Sequence, residues 1–131
     1  MPVSSSNTPL GTNALLFKLA GANMQLTTDQ VFAKLFGGSA YLITAIIARQ
    51  RSGGASVACL GGVYDGAGKT GNIIIAATQS WVTLASGIIV SGALAALTTT
   101  SLLTAAPILS LTTGSTAACT ADVYVFGYDI S

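Results

Sequence analysis

The chain has no histidine and no glutamate among its 131 residues, and only 7% of them are charged. A typical soluble domain carries roughly 25% charged residues. The acids are Asp29, Asp65, Asp122 and Asp129; the bases are Lys18, Lys34, Arg49, Arg51 and Lys69. Without His or Glu, general acid–base catalysis loses its usual groups. A cysteine nucleophile loses its usual base as well. The four Asp residues fall near expected strand ends and turns, where local hydrogen bonding accounts for them. Cys59 and Cys119 cannot make a structural zinc site alone. A calcium loop needs several acids within one turn, and DGAGKTGN at 65–72 has one. These absences predict a protein that is not an enzyme, with no metal and no cofactor.

Other absences exclude other classes. No Lys/Arg run exists and the net charge is +1, so the electrostatic footprint of a nucleic-acid binder is missing. The opening MPVSSSNTPLGTN has neither a basic n-region nor an apolar h-region. It reads as a flexible polar arm over residues 1–13 rather than a signal peptide. From Thr70 to Ala121 there is no charge at all, and mean hydropathy is +0.70. That raises a small integral membrane or pore-forming protein as an alternative. A spanning helix needs about 20 apolar residues. The best window, 82–97, is broken by Thr83, Ser86, Gly87, Ser91 and Gly92, with no close Lys or Arg to orient it. The expectation is therefore no membrane partner. Cys59 and Cys119 both sit in apolar runs; they are two small buried side chains or one disulfide.

What the chain does have is β-branched and small polar residues punctuated by 15 glycines. ALLFKL at 14–19 and NMQLTT at 23–28 flank Gly21 and suggest a hairpin. DQVFAKLF at 29–36 fits a helix cap at Thr27 and Gln30 with a stop at Gly37. It also alternates as a strand does, and the alternation is favoured. YLITAIIAR at 41–49 reads as a strand buried on both faces. ASVACLGGVY at 55–64 is the next strand, with Gly61 and Gly62 marking a bulge or a close neighbour. Strands are then expected at NIIIAAT (72–78), SWVTLA (80–85), one or two within 86–97, one within 98–106, PILSLTT (107–113) and ADVYVFGYD (121–129). Eight to nine short strands at this spacing predict one all-β domain over 14–131, a β-sandwich of jelly-roll-like topology behind the N-terminal arm.

Within that frame, GAGKT looks like a phosphate-binding loop. The motif places a glycine where Val63 stands, and the loop leads into a strand instead of a helix, so a hairpin turn is expected. Arg49 and Arg51, two apart on a strand, share a face and form candidate partner contacts. Tyr124, Phe126 and Tyr128 line one side of the last strand, opposite Val123 and Val125. They are a further candidate contact row, or core. An exposed Trp81 or exposed C-terminal tyrosines would instead favour a carbohydrate- or host-binding β-module.

The succession YLITAIIARQRSGGASVACLGGVYDGAGKTGN, IIIAATQSWVTLASG and ILSLTTGSTAACTADVYVFGYD resembles small virion structural proteins of tailed bacteriophages, of the capsid decoration or cement type. The likeness covers residues 23–131 and rests on strand order, Ala/Thr/Gly-rich composition and the closing TADVYVFGYD. It implies a virion location after assembly in the host cytoplasm. It also implies major capsid protein or other shell subunits as partners, and a homo-oligomer, often a trimer. It brings no catalytic residue with it.

Overall fold

A computed structural model describes residues 13–95 and 102–130, with the side chain of Leu102 excepted. The read arm at 1–13 lies outside the described residues save Asn13, whose side-chain oxygen accepts a hydrogen bond from Thr44 Oγ1 at 2.8 Å. The described chain is all-β with no helix: β1 (Ala14–Asn23), β2 (Gln30–Val31), β3 (Ala33–Lys34), β4 (Tyr41–Gly53), β5 (Leu60–Gly66), β6 (Thr70–Ile75), β7 (Ile89–Ser91), β8 (Leu102–Leu103), β9 (Ile108–Thr113) and β10 (Cys119–Asp129). These form two antiparallel sheets. One runs β3-β1-β10-β4-β7 with β8 also on β4; the other runs β2-β9-β5-β6.

The inward residues of both sheets make one core. Phe17, Ile43, Ile46, Val123 and Val125 come from the larger sheet, and Val63, Ile75, Leu109 and Leu111 from the smaller. Phe17 meets Tyr41 edge-to-face at 5.1 Å between centroids, an arrangement the ring quadrupoles favour. Trp81 is fully buried and donates from Nε1 to the Gly61 carbonyl at 3.0 Å.

Both sides of the layered pair are bridged by chain. On one side β2 lies in the smaller sheet and β3 in the larger, with buried Phe32 between them. On the other, the chain leaves β7 and pairs Leu94 with Ile75, while Ala95 N–H donates to the Ile74 carbonyl at 2.9 Å. Such crossings cover backbone groups that a free edge would offer to other chains.

Several expectations need correcting. The hairpin around Gly21 is a single strand, β1, with a register shift between Leu19 and Ala22. Gly21 takes φ +64°, and the Asp122 carboxylate accepts its N–H at 2.9 Å, so the irregularity is held from the neighbouring strand. Residues 29–36 are two two-residue strands in different sheets. β4 is buried on its inner face only; Leu42, Ala45 and Ile47 are half-buried, and Thr44 and Arg49 exposed. The expected strand at 80–85 is irregular apart from a bridge between Ser80 and Leu60. Trp81 decides this, because its ring has to turn inward to reach Gly61. The expected glycine effect at 61–62 is present: a Cβ on Gly61 would strike the Leu111 backbone, and one on Gly62 the Ile75 carbonyl.

Candidate functional site

The five contact candidates converge on the outer face of the larger sheet. In β10, Val123 and Val125 point into the core while Tyr124, Phe126 and Tyr128 are half-buried on the other side. Cross-strand partners share a face. Tyr124 stands between Lys18 and Ile47, Phe126 between Leu15 and Ala45, and Tyr128 beside Leu42. The face is therefore an aromatic and aliphatic stripe three strands wide.

Cations border this stripe. The Lys18 ammonium lies 5.4 Å from the Tyr124 ring centroid, a cation–π contact. Arg49 is in register with Asp122 on one side and Ile89 on the other, and Ile89 is 63% exposed. Arg51 sits in a register shift and meets Asp122 Oδ1 through Nη1 at 3.5 Å. Asp122 is 8% exposed and already accepts from Gly21. With its Arg51 end exposed and a separation of 3.5 Å, the Arg51–Asp122 pair contributes little stability, about 0–1 kcal/mol, and serves mainly to orient Arg51. Sequence reading names both arginines and the aromatic row but misses Lys18 as part of this face. The irregularity after Leu15 brings Leu16 and Phe17 inward together, so a period-two count does not place Leu15 and Lys18 on one side.

A second cluster joins residues far apart in the chain. The GAGKT segment is the β5–β6 turn, with Gly66 paired to Thr70 and both Gly68 and Lys69 at positive φ. Lys69 Nζ donates to Ser110 Oγ at 2.9 Å and to the Thr27 carbonyl at 3.2 Å. Ser110 in turn donates to Asp29 Oδ1 at 2.9 Å, and Gly68 N–H donates to Asp29 Oδ2 at 2.8 Å. The Gly68 and Ser110 hydrogen bonds, with Lys69 adding to them, hold the Asp29 carboxyl below its ordinary value. A serine within reach of a lysine has the spacing of a nucleophile and its base. Two facts oppose that use. Ser110 is fully buried, and its proton is committed to Asp29. Lys69 Nζ also acts as the donor to both Ser110 Oγ and the Thr27 carbonyl, the reverse of what a base for that hydroxyl would do. The cluster works as a clip that fastens the Thr27–Asp29 loop to the β5–β6 turn. Sequence gave no local sign of it, because its partners come from three separate segments.

Both cysteines are buried free thiols, so neither sits in a disulfide. Cys59 Sγ faces the Met24 carbonyl at 3.6 Å, and Met24 N–H donates to the Cys119 carbonyl at 3.0 Å. Burial, with a smaller push from Cys119, raises the Cys59 thiol to about 11. Burial raises Cys119 as well. Neither is poised as a thiolate. Among the described residues, no group of three His, Cys, Asp or Glu side chains converges as metal ligands. No helix is long and apolar enough to cross a membrane, and residues 82–95 hold turns, β7 and the Leu94 bridge. Trp81, buried and hydrogen-bonded, presents no stacking surface to a sugar. No protein-family model, curated protein or solved structure matches the chain.

Proposed function

We propose that this chain is a non-catalytic structural subunit of a tailed-bacteriophage virion, one that decorates or cements the capsid through contacts between subunits. The observation that carries the reading is the outer face of the larger sheet. Tyr124, Phe126, Tyr128, Leu15, Leu42 and Ile47 gather there without a covering layer among the described residues, in a chain with only 7% charge to disperse apolar surface. A continuous face of this kind marks a surface that meets another protein.

The strand order gives further support, since the two sheets read as a jelly-roll β-sandwich. Take β2 and β3 as one strand bent between sheets, and set aside β8 as a short addition to β4. The eight remaining strands then run first–eighth–third–sixth in one sheet and second–seventh–fourth–fifth in the other. That is the order of two interlocked Greek keys, an architecture shared by viral shell proteins and lectins. The subunit works as a homo-oligomer, with a trimer as the form the resemblance implies. Its two bridged sides carry exposed apolar residues: Val31 and Leu35 near β2–β3, and Ile73 and Ile88 near β6–β7. Side-to-side packing of unlike surfaces closes into a ring when the rotation permits.

Quantitative mass spectrometry of gradient-purified virions from the phage encoding this chain tests the reading. The expected result is the chain in fixed stoichiometry to the major shell protein; its absence from the particles sinks the idea. The half-exposed tyrosines keep one second reading, a carbohydrate-binding host-recognition module, and glycan-array binding abolished by Tyr124→Ala would favour it.

A further inference from the structure

We infer that the outer face of the larger sheet docks onto an acidic protein surface and not onto a second copy of this chain; the inference rests on the virion reading and specifies which surface meets the shell. The argument is one of charge. Three cations, Lys18, Arg49 and Arg51, border the aromatic stripe, against the single carboxylate of Asp122. Asp122 is 8% exposed and is spent on Gly21 and Arg51. Lys18 and Arg49 make no ion pair among the described residues, so the face keeps two uncompensated positive charges beside its apolar centre.

A second copy cannot supply their counter-charge. A two-fold contact of this face with itself would bring cation against cation, which is costly. A contact with any other part of a second copy would need free carboxylates, and the chain has three others. Asp29 is held by Gly68, Ser110 and the Lys69 clip. Asp65 accepts from Asn72 through both oxygens, at 2.6 and 2.9 Å. Asp129 is 2% exposed. Asp122 and Asp129 are buried, exposed Asp29 has the Lys69 ammonium acting on it, and half-buried Asp65, held by neutral Asn72, is one carboxylate where Lys18 and Arg49 need two. A polyanion such as DNA fits less well. Its affinity comes from many phosphate contacts, and here two free charges flank a stripe of Leu, Ile, Ala and aromatic residues. The matching surface is apolar at its centre, with Asp or Glu placed to meet Lys18 and Arg49. Copies of this chain then use the bridged sides of the fold, leaving this face for the shell.

An add-back experiment tests this. Particles grown without this chain are mixed with purified wild-type protein or with the double charge reversal Lys18→Glu/Arg49→Glu, and bound protein is measured by co-sedimentation. Thermal melting checks that the variant is folded, and Lys18→Arg/Arg49→Lys serves as the charge-preserving control. The expected result is binding that weakens with salt, a loss of about tenfold or more for the reversal, and retention by the control. Wild-type binding that the folded reversal leaves unchanged overturns the face while the virion reading stands. A reversal that breaks the soluble homo-oligomer shows a copy–copy contact and overturns the inference. So does comparable binding to bare duplex DNA that the reversal abolishes. Wild-type protein absent from native particles and unable to bind stripped ones sinks the virion reading and this inference together.

Discussion

At the scale of single residues, Trp81 shows how one side chain sets the conformation of a segment. Its ring is fully buried, its Nε1–H satisfies the Gly61 carbonyl, its N–H donates to Cys59 O at 2.8 Å, and its carbonyl accepts from buried Ser56 Oγ. Trp81→Phe removes the side-chain hydrogen bond and leaves a void, so a loss of about 1–3 kcal/mol in unfolding free energy is expected by denaturant titration followed by circular dichroism. Cys59 supports a pH prediction. Its thiol ionises at 9.0 when unconstrained and at about 11 in the fold, so the native state holds the proton more tightly. Its contribution is fully present below pH 9 and is lost as pH rises towards 11, at up to about 1.4 kcal/mol per pH unit. Tyr41, raised by burial and then by the nearby Asp129 charge, adds a slope of the same sign at higher pH. Cys59→Ala should flatten the stability curve between pH 9 and 11; an unchanged slope would remove Cys59 from the account. The aromatic row and the paired arginines are legible in the sequence because alternation in a regular strand needs no tertiary knowledge. Lys18 is not, because the irregularity beside it breaks the count.

At the scale of elements, the long regular strands are the legible ones. β4 and β10 announce themselves through β-branched and alternating residues, and the glycine pair at 61–62 correctly signals close backbone approach. The short elements are decided by distant partners. β2 and β3 are too brief for any periodicity and exist because Gln30 and Val31 pair with β9 while Ala33 and Lys34 pair with β1. The Gly21 irregularity looks like a turn in sequence and stays a strand because Asp122, 101 residues away, receives its N–H. The Asp29–Ser110–Lys69 clip has the same long-range character, and it gives an acid prediction. Asp29 titrates below its ordinary 3.8, so its contribution is present above that pH and is lost as pH falls below it. Asp29→Asn should lower the melting temperature at neutral pH and raise amide exchange in the 27–29 loop and the β5–β6 turn. The gap to wild type should close as pH falls below 3.8; a gap that stays constant would show that the carboxylate charge is not what holds the loop.

At the scale of the whole molecule, the two bridged sides and the outer face of the larger sheet differ in character. The crossings at β2–β3 and at Leu94–Ala95 bridge the two sheets and pair part of the edges of β1 and β6, which shortens what those edges offer to other chains. The outer face of the larger sheet is aromatic and aliphatic, bordered by Lys18, Arg49 and Arg51, of which only Arg51 makes an ion pair among the described residues. The all-β class and the charge-poor surface were legible from composition and strand spacing. Which strands lie side by side was not legible, because that depends on pairings such as the one between β1 and β10, at opposite ends of the chain. A cryo-electron microscopy map of the intact particle bears most directly on the central claim. The account predicts density for this two-sheet module on the outside of the capsid, seated on the shell at regular positions. A fully resolved capsid with no density for this chain would contradict it.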